Sequence, residues 1–141
     1  MKKIFLITFL FLTTLFVDAQ ILTIEFTNVR NIKGQLLLGV YTSQTNYANK
    51  KAIKKQTVLK TKLVNGKLTA TIKGLLPGTY GIALLDDEDY DRKMNYGLFL
   101  PKEGFAFSDY YHTGMSKPTF EDFKFILGKE NKKVVMKLRY L

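Results

Sequence analysis

The chain has 141 residues, with 22 lysines and arginines against 12 acidic side chains, and a net charge of +10 at pH 7. It contains no cysteine, which excludes disulfides, a thiol nucleophile and cysteine metal ligands. Its single histidine excludes a metal site built from several histidines.

The chain begins with the three parts of a secretory signal peptide. Lys2 and Lys3 precede an apolar run from Ile4 to Val17, and Ala19 is the small residue before the predicted cut. The run is shorter than the roughly 20 apolar residues that a membrane-spanning helix needs. We therefore predict a cleaved signal helix at 1–19 and a single exported domain at 20–141, periplasmic or extracellular, with no transmembrane anchor after cleavage.

The domain predicted at 20–141 keeps 20 basic against 11 acidic side chains, a net charge of +9. Such a charge attracts phosphates, acidic glycans and membrane surfaces, although scattered lysines also keep a β protein soluble and protect its strand edges. We predict a glycan or another anionic component of the cell envelope as the partner. Nucleic acid is not expected as a partner of an exported protein.

Apolar and polar residues alternate with period two along most of this domain, which predicts half-buried strands. In chain order the runs are Leu22–Phe26, Leu36–Val40, Thr57–Val64, Lys67–Lys73, Tyr80–Leu84 and Val134–Tyr140. The alternation lapses between Ser43 and Gln56, which predicts a short surface helix or an open loop. About seven short strands with regular turns predict an all-β fold, an antiparallel two-layer sandwich, with a small barrel as the alternative.

Two turns separate these runs. Asn65 and Gly66 tolerate the positive φ angles of a two-residue hairpin turn, so we predict a hairpin of the Thr57–Val64 and Lys67–Lys73 runs. Pro77 and Gly78 turn the chain into the strand that contains Tyr80.

An acidic segment follows the Tyr80 strand, with five carboxylates within Asp86–Asp91 of an otherwise basic chain. Counted as a calcium-binding loop that begins at Asp87, the ligand positions 1, 3, 5, 7 and 9 hold Asp87, Asp89, Asp91, the Lys93 carbonyl and Asn95. Position 6 holds Arg92 in place of glycine, and position 12 holds Leu98 in place of an acid. Calcium is therefore the candidate cofactor, and an acidic loop paired with nearby basic side chains is the alternative.

The segment after the acidic loop is rich in aromatic residues, and it supplies the candidate ligand-binding residues Glu103, Tyr110, Tyr111 and His112. Exposed aromatic rings stack on sugars, whereas buried ones hold a long loop against the core. A serine hydrolase would have to use His112 with Ser108 or Ser116, and the Gly-x-Ser-x-Gly motif is absent. Paired carboxylates of the glycosidase type would come from Asp86–Asp91 and Glu103.

Four segments of the chain resemble, in this order, the domain of unknown function 2141 family of exported bacterial proteins: Gly74–Tyr80, Asp87–Met94, Pro101–Ser108 and Pro118–Asp122. The resemblance covers nearly all of 20–141. It implies an immunoglobulin-like or transthyretin-like β-sandwich and implies no activity. In the family the acidic loop usually has asparagine at the positions of Asp89 and Asp91, glycine at Arg92 and aspartate at Asn95.

We therefore expect a non-catalytic binding or structural domain of the cell envelope that uses the 86–112 loop region. The first alternative is a calcium-stabilised module with its acidic loop at 87–95. The second is a hydrolase that acts on an envelope or extracellular substrate.

Overall fold

The computed structural model describes residues 20–141, and the signal helix predicted at 1–19 lies outside this range. The elements in chain order are β1 Ile21–Thr27, β2 Gln35–Tyr41, α1 Gln44–Ala48, β3 Lys54–Leu59, a 3-10 helix Lys60–Lys62, β4 Leu68–Lys73, β5 Gly78–Asp87, β6 Gly104–Phe107, α2 Phe120–Phe123, β7 Lys124–Leu127 and β8 Lys132–Lys137. Within 20–141, no helix has the length and apolar character needed to cross a bilayer.

The strands form two sheets, which confirms the prediction of a mostly β, two-layer fold. The three-stranded sheet has the order β4-β1-β8, and the five-stranded sheet has the order β3-β2-β5-β6 with β7 also on β5. β7 pairs with the first half of β5 and β6 with the second half.

One strand pair departs from the expected antiparallel arrangement, because β1 and β8 run parallel from Leu22↔Lys132 to Thr27↔Lys137. The prediction of an antiparallel sandwich is wrong at this pair. Period two reveals which residues share a face but not the direction of a neighbouring strand. β8 follows β7 of the other sheet, so no hairpin fixes its direction relative to β1.

The main core lies between the sheets and is filled by the alternating residues that the sequence pattern singled out. The inward residues of β1, β2, β5 and β8, together with Leu138 directly after β8, are buried: Leu22, Ile24, Phe26, Leu36, Leu38, Val40, Ile82, Leu84, Val134, Met136 and Leu138. At about 25 cal/mol per Å² of apolar area removed from water, this burial is the main stabilising contribution in a chain without disulfides.

The predicted turn at Asn65 and Gly66 is present, but the predicted hairpin is wrong. Both residues have positive φ angles, 49° and 71°, and Val64 and Lys67 exchange two backbone hydrogen bonds with N···O distances of 3.0 and 2.9 Å. However, β3 pairs with β2 and β4 pairs with β1, so the runs on either side enter different sheets. The 3-10 helix carries the chain from one sheet to the other.

A buried ion pair holds this crossing in place. The Lys60 ammonium contacts Oδ1 of Asp86 at the end of β5, and both side chains are 0% exposed. The Tyr140 hydroxyl donates to Asp86 Oδ2 at 2.7 Å, and the Asn31 carbonyl lies 3.4 Å from Lys60 Nζ. Burial raises the pKa of the Asp86 carboxyl, while Lys60 and Tyr140 act to lower it. The helix is thereby fixed to β5 across the interior.

Replacement of Lys60 by methionine leaves the Asp86 carboxylate buried without its cation. We expect Lys60→Met to lower the free energy of unfolding by about 3–5 kcal/mol at neutral pH, measured by urea denaturation. Without Lys60 the folded-state pKa of Asp86 lies further above its unfolded value, so the folded state binds the proton more tightly. The deficit should therefore shrink as the pH falls and grow as the pH rises.

The control is Lys62→Met, at an exposed position of the same 3-10 helix, which should change the free energy of unfolding by no more than about 0.5 kcal/mol. Equal losses for both variants, or a Lys60→Met deficit that does not change with pH, would contradict the assignment.

Candidate functional site

The outer face of the five-stranded sheet, which points away from the main core, forms a cleft of about 900 Å³. Strand register places its floor in two rows across four strands, Thr57–Leu37–Leu85–Phe105 and Lys55–Gly39–Ala83–Phe107. Leu37 and Leu85 stand at outward positions where a solvated sheet would carry polar side chains. The apolar floor therefore needs either a cover or a ligand.

One end of this face is covered by the two short helices. Tyr47 of α1 packs edge-on against Phe123 of α2, with ring centroids 4.9 Å apart, and Phe107 and Phe120 complete a small aromatic core. Thr119 and Asp122 form a capping box at the start of α2. The aromatic-rich segment thus contributes a second core at one end of the face and leaves the rest of the floor open.

Two loop segments wall the open part of the cleft. In the 92–101 loop, the Gly97 N–H donates to the Leu100 carbonyl at 2.7 Å and the Lys102 N–H donates to the Asn95 carbonyl at 2.8 Å. These bonds fold a tight tip on which Phe99 is 91% exposed. An apolar tip held out into solvent is typical of a binding surface.

The second wall is the 112–118 segment, and Arg139 holds it in place. The Arg139 guanidinium donates to the carbonyls of His112 and Gly114 at 2.8 and 2.9 Å. His112 Nε2 lies 2.5 Å from the Ser116 carbonyl, so the imidazole closes the segment on itself. This wall carries Met115, whose side chain is exposed beside the cleft.

The charged side chains that line the cleft are cations, Lys50, Lys55, Arg92 and Lys117, and no aspartate or glutamate of the described range lines it. The Lys117 ammonium lies 3.9 Å from the centroid of the Tyr47 ring. Burial lowers the pKa of Lys117, and the charge of Lys50 lowers it further. The cleft therefore combines an apolar floor with a positive rim.

The acidic segment starts inside β5 rather than in a loop. Asp86 and Asp87 are the last residues of that strand, both 0% exposed, and their side chains point to opposite faces of the sheet. Asp86 faces the core and Lys60. Asp87 Oδ2 accepts from Gln35 Nε2 at 2.8 Å and from the Arg92 N–H at 3.3 Å, while Asp87 Oδ1 has no hydrogen-bond partner.

Three of the predicted metal ligands come together, since Asp87, Asp89 and Asp91 each place a carboxylate oxygen within 4.8 Å of the others. In residues 20–141 none of the three forms an ion pair with a lysine or arginine. The Asn95 Nδ2 donates to Asp89 Oδ2 at 2.7 Å, so the fourth predicted ligand bonds to a member of the group. Oxygen donors in this arrangement suit a hard cation such as Ca²⁺.

Arg92 adopts the turn conformation that a glycine was expected to supply, with φ of 62°. Asp91 Oδ1 accepts from the Lys93 N–H at 2.8 Å, and Asp89 Oδ1 accepts from the Asp91 N–H at 3.2 Å. These side-chain bonds to the backbone keep the loop wrapped although the glycine is missing.

Glu103, a predicted ligand-binding residue, lies under the acidic loop and outside the cleft lining. It is 4% exposed, and its two carboxylate oxygens accept from the Glu88 N–H at 2.9 Å and from the Asn95 N–H at 3.1 Å. Burial raises the pKa of Glu103 against the lowering effect of these two bonds. The side chain therefore braces the loop.

The other predicted ligand-binding residues separate from one another. His112 lines the cleft, Tyr110 packs against the small aromatic core, and Tyr111 lies under the Lys137 ammonium with 4.8 Å to its ring centroid. Ser108 is buried and its hydroxyl donates to the Phe123 carbonyl at 2.6 Å. In the described part of the chain no serine hydroxyl bonds to His112, so the geometry supplies no serine–histidine pair for the hydrolase alternative.

The apolar floor of the cleft was not predicted from the sequence. Its signal is present in the two strands that run apolar on both faces, Leu36–Leu38 and Ile82–Leu85. Such runs indicate strands covered on both sides, but the outward leucines acquire a role only when β2, β5 and β6 are known to be neighbours.

Comparisons with known proteins bear on the family. Residues 24–135 match a family model described as an uncharacterized protein conserved in bacteria, DUF2141. No curated protein matches the chain. No solved structure matches it either.

The positive φ at Arg92 gives a stability prediction. A non-glycine residue in the left-handed region costs about 1–2 kcal/mol, so Arg92→Gly should raise the free energy of unfolding by about 1 kcal/mol in urea denaturation. Lys93→Gly is the matched control because Lys93 has no positive φ, and it should lower that free energy. Equal losses in both variants would refute the strain at Arg92.

Proposed function

This chain belongs to the DUF2141 family of bacterial proteins, and we propose that it is a non-catalytic binding domain whose ligand occupies the cleft. The proposal includes export through the segment at 1–19 to the periplasm or the cell exterior, and a partner that is a glycan or another anionic component of the envelope. It also includes the immunoglobulin-like or transthyretin-like type of sandwich that the family resemblance implies.

The observation that carries the proposal is the open apolar floor with its positive rim. Half-buried Leu37, Leu85 and Phe105 lie side by side, while Phe99 and Met115 stand exposed on the two walls. Concave sites with mostly apolar linings and a few convergent polar groups are the usual form of a small-molecule site. The positive rim favours a ligand that carries negative charge.

The absence of tryptophan from the chain allows a specific test of cleft occupancy. Phe99→Trp places a single tryptophan on the cleft wall. We expect its emission to shift to shorter wavelength, saturably, with at least one glycan, lipid or small-molecule fraction of a bacterial envelope. The bound component should be recovered chemically unchanged.

The matched control is Leu76→Trp, another exposed apolar position that lies outside the cleft lining. Its emission should not change with the same fractions. The proposal is wrong if no fraction distinguishes the two variants, or if a bound component is converted to product.

A second function, a calcium-stabilised module, is favoured by the Asp87 side chain. Its Oδ1 is fully buried without a hydrogen-bond partner, beside the Asp89 and Asp91 carboxylates. A buried carboxylate oxygen without a partner is costly, and a cation held by the three aspartates would satisfy it. Asp87, Asp89 and Asp91 would hold Ca²⁺ directly, with Asn95 bonded to Asp89.

Calcium that binds the folded state stabilises it by mass action. We expect a higher melting temperature in millimolar calcium than in chelator, and no such difference for Asp87→Asn. Glu130→Gln, which removes an exposed carboxylate outside the cluster, should keep the difference. Identical melting in calcium and chelator would exclude the module.

A further inference from the structure

Three of the four cations that line the cleft lie towards one end of it. Lys50 lies two residues after the end of α1. The Lys117 ammonium lies over the ring of Tyr47, which belongs to α1. Lys55 of β3 pairs with Gly39 of β2 and belongs to the floor row that contains Gly39. Among the described residues no aspartate or glutamate lines the cleft beside these three ammonium groups.

The apolar part of the cleft is concentrated at the other end. There the row formed by Leu37, Leu85 and Phe105 lies next to the 92–101 loop, whose Phe99 and Leu100 line the same cleft. The middle of the adjacent row holds Gly39, over which the Tyr41 side chain lies, and Ala83, which packs against the small aromatic core. The cleft therefore has a cationic head and an apolar tail.

This polarity matches an amphiphile better than a sugar. Sugar hydroxyls need both donors and acceptors, and the described lining supplies one amide side chain, that of Gln56, and no carboxylate side chain. Aliphatic and aromatic side chains gain most from apolar area, at about 25 cal/mol per Å² removed from water. An acyl chain offers such area along its whole length.

The same charges oppose a second copy of the chain as the occupant. Pairing two clefts face to face would enclose the four cations of each rim in one interface, and the described lining supplies no aspartate or glutamate side chain to neutralise them. Like charges brought together on a desolvated surface are unfavourable. The charge pattern favours an occupant that is negative where the rim is positive.

We propose that the cleft binds a fatty acid, with its carboxylate among Lys50, Lys55 and Lys117 and its acyl chain along Leu37, Leu85 and Phe105. This inference rests on the proposed function of the cleft as a binding site. It narrows the expected anionic envelope component to a single-chain lipid anion.

The test is a titration of the purified Phe99→Trp protein with laurate, a fatty acid used below the concentration at which it aggregates. We expect a saturable blue shift with laurate. Dodecanol, which has the same chain without the charge, and butyrate, which has the charge without the chain, should each bind at least about tenfold more weakly.

Charge reversal locates the head group. In the Phe99→Trp background, Lys55→Glu with Lys117→Glu should weaken laurate binding by about tenfold or more. Lys62→Glu with Lys129→Glu makes the same change in net charge outside the cleft lining and should leave binding within about twofold. If the cleft pair does not fold, Lys50→Glu at an exposed position replaces it.

Three results would overturn the inference. The first is equal laurate binding by the two charge-reversed pairs. The second is saturation by an acidic oligosaccharide such as oligogalacturonate without any response to laurate, which would keep the cleft as a binding site. The third is a blue shift that depends on protein concentration alone and coincides with dimers in sedimentation, which would make a second copy the occupant.

Discussion

The contact between Lys60 and Asp86 is the interaction on which the arrangement of the two sheets depends. It joins the 3-10 helix, through which the chain leaves the five-stranded sheet, to the buried end of β5, a central strand of that sheet. The neighbouring residue, Asp87, has its side chain on the opposite face and begins the acidic loop. The end of β5 thus contributes Asp86 to the core on one side of the sheet. On the other side it contributes Asp87 to the candidate cation group and leads into the loop that forms a wall of the cleft, so a shift of this strand end would displace all three.

The buried strand residues were predictable because period two reports directly which side chains share a face. The outer face was harder, since Leu37 and Leu85 become neighbours only through the pairing of β2 with β5. The Asn65–Gly66 turn likewise has a predictable and an unpredictable part. Its backbone conformation follows from the two residues themselves, whereas the sheet that each flanking strand joins depends on the contact between Lys60 and Asp86, which are far apart in the chain. The spacing of the aspartates in the sequence predicted the acidic group, whereas the turn at Arg92 was not predictable because a non-glycine residue rarely adopts a positive φ.

Charge is distributed over the molecule in a way that its net value conceals. The acids Asp87, Asp89 and Asp91 form a compact group at one end of β5, and the cations Lys50, Lys55 and Lys117 lie towards the other end of the same face. A basic net charge favours any anionic ligand, but this separation of acids from cations makes one end of the outer face negative and the other end positive. Two loops add apolar side chains as the walls of the cleft; backbone hydrogen bonds hold the 92–101 loop, and the Arg139 guanidinium holds the 112–118 segment.

The parallel pairing of β1 with β8 makes the first strand of the sheet a neighbour of the last. When the chain leaves the ribosome with its N-terminus first, β1 can pair with β4 early, but its other edge stays open until residues 132–137 have followed. The three-stranded sheet can therefore be completed only after residues 132–137 have emerged, and its completion closes a long loop of high contact order. A C-terminal truncation that removes β8 would expose a long strand edge in the middle of the sheet, where association with other chains competes with folding.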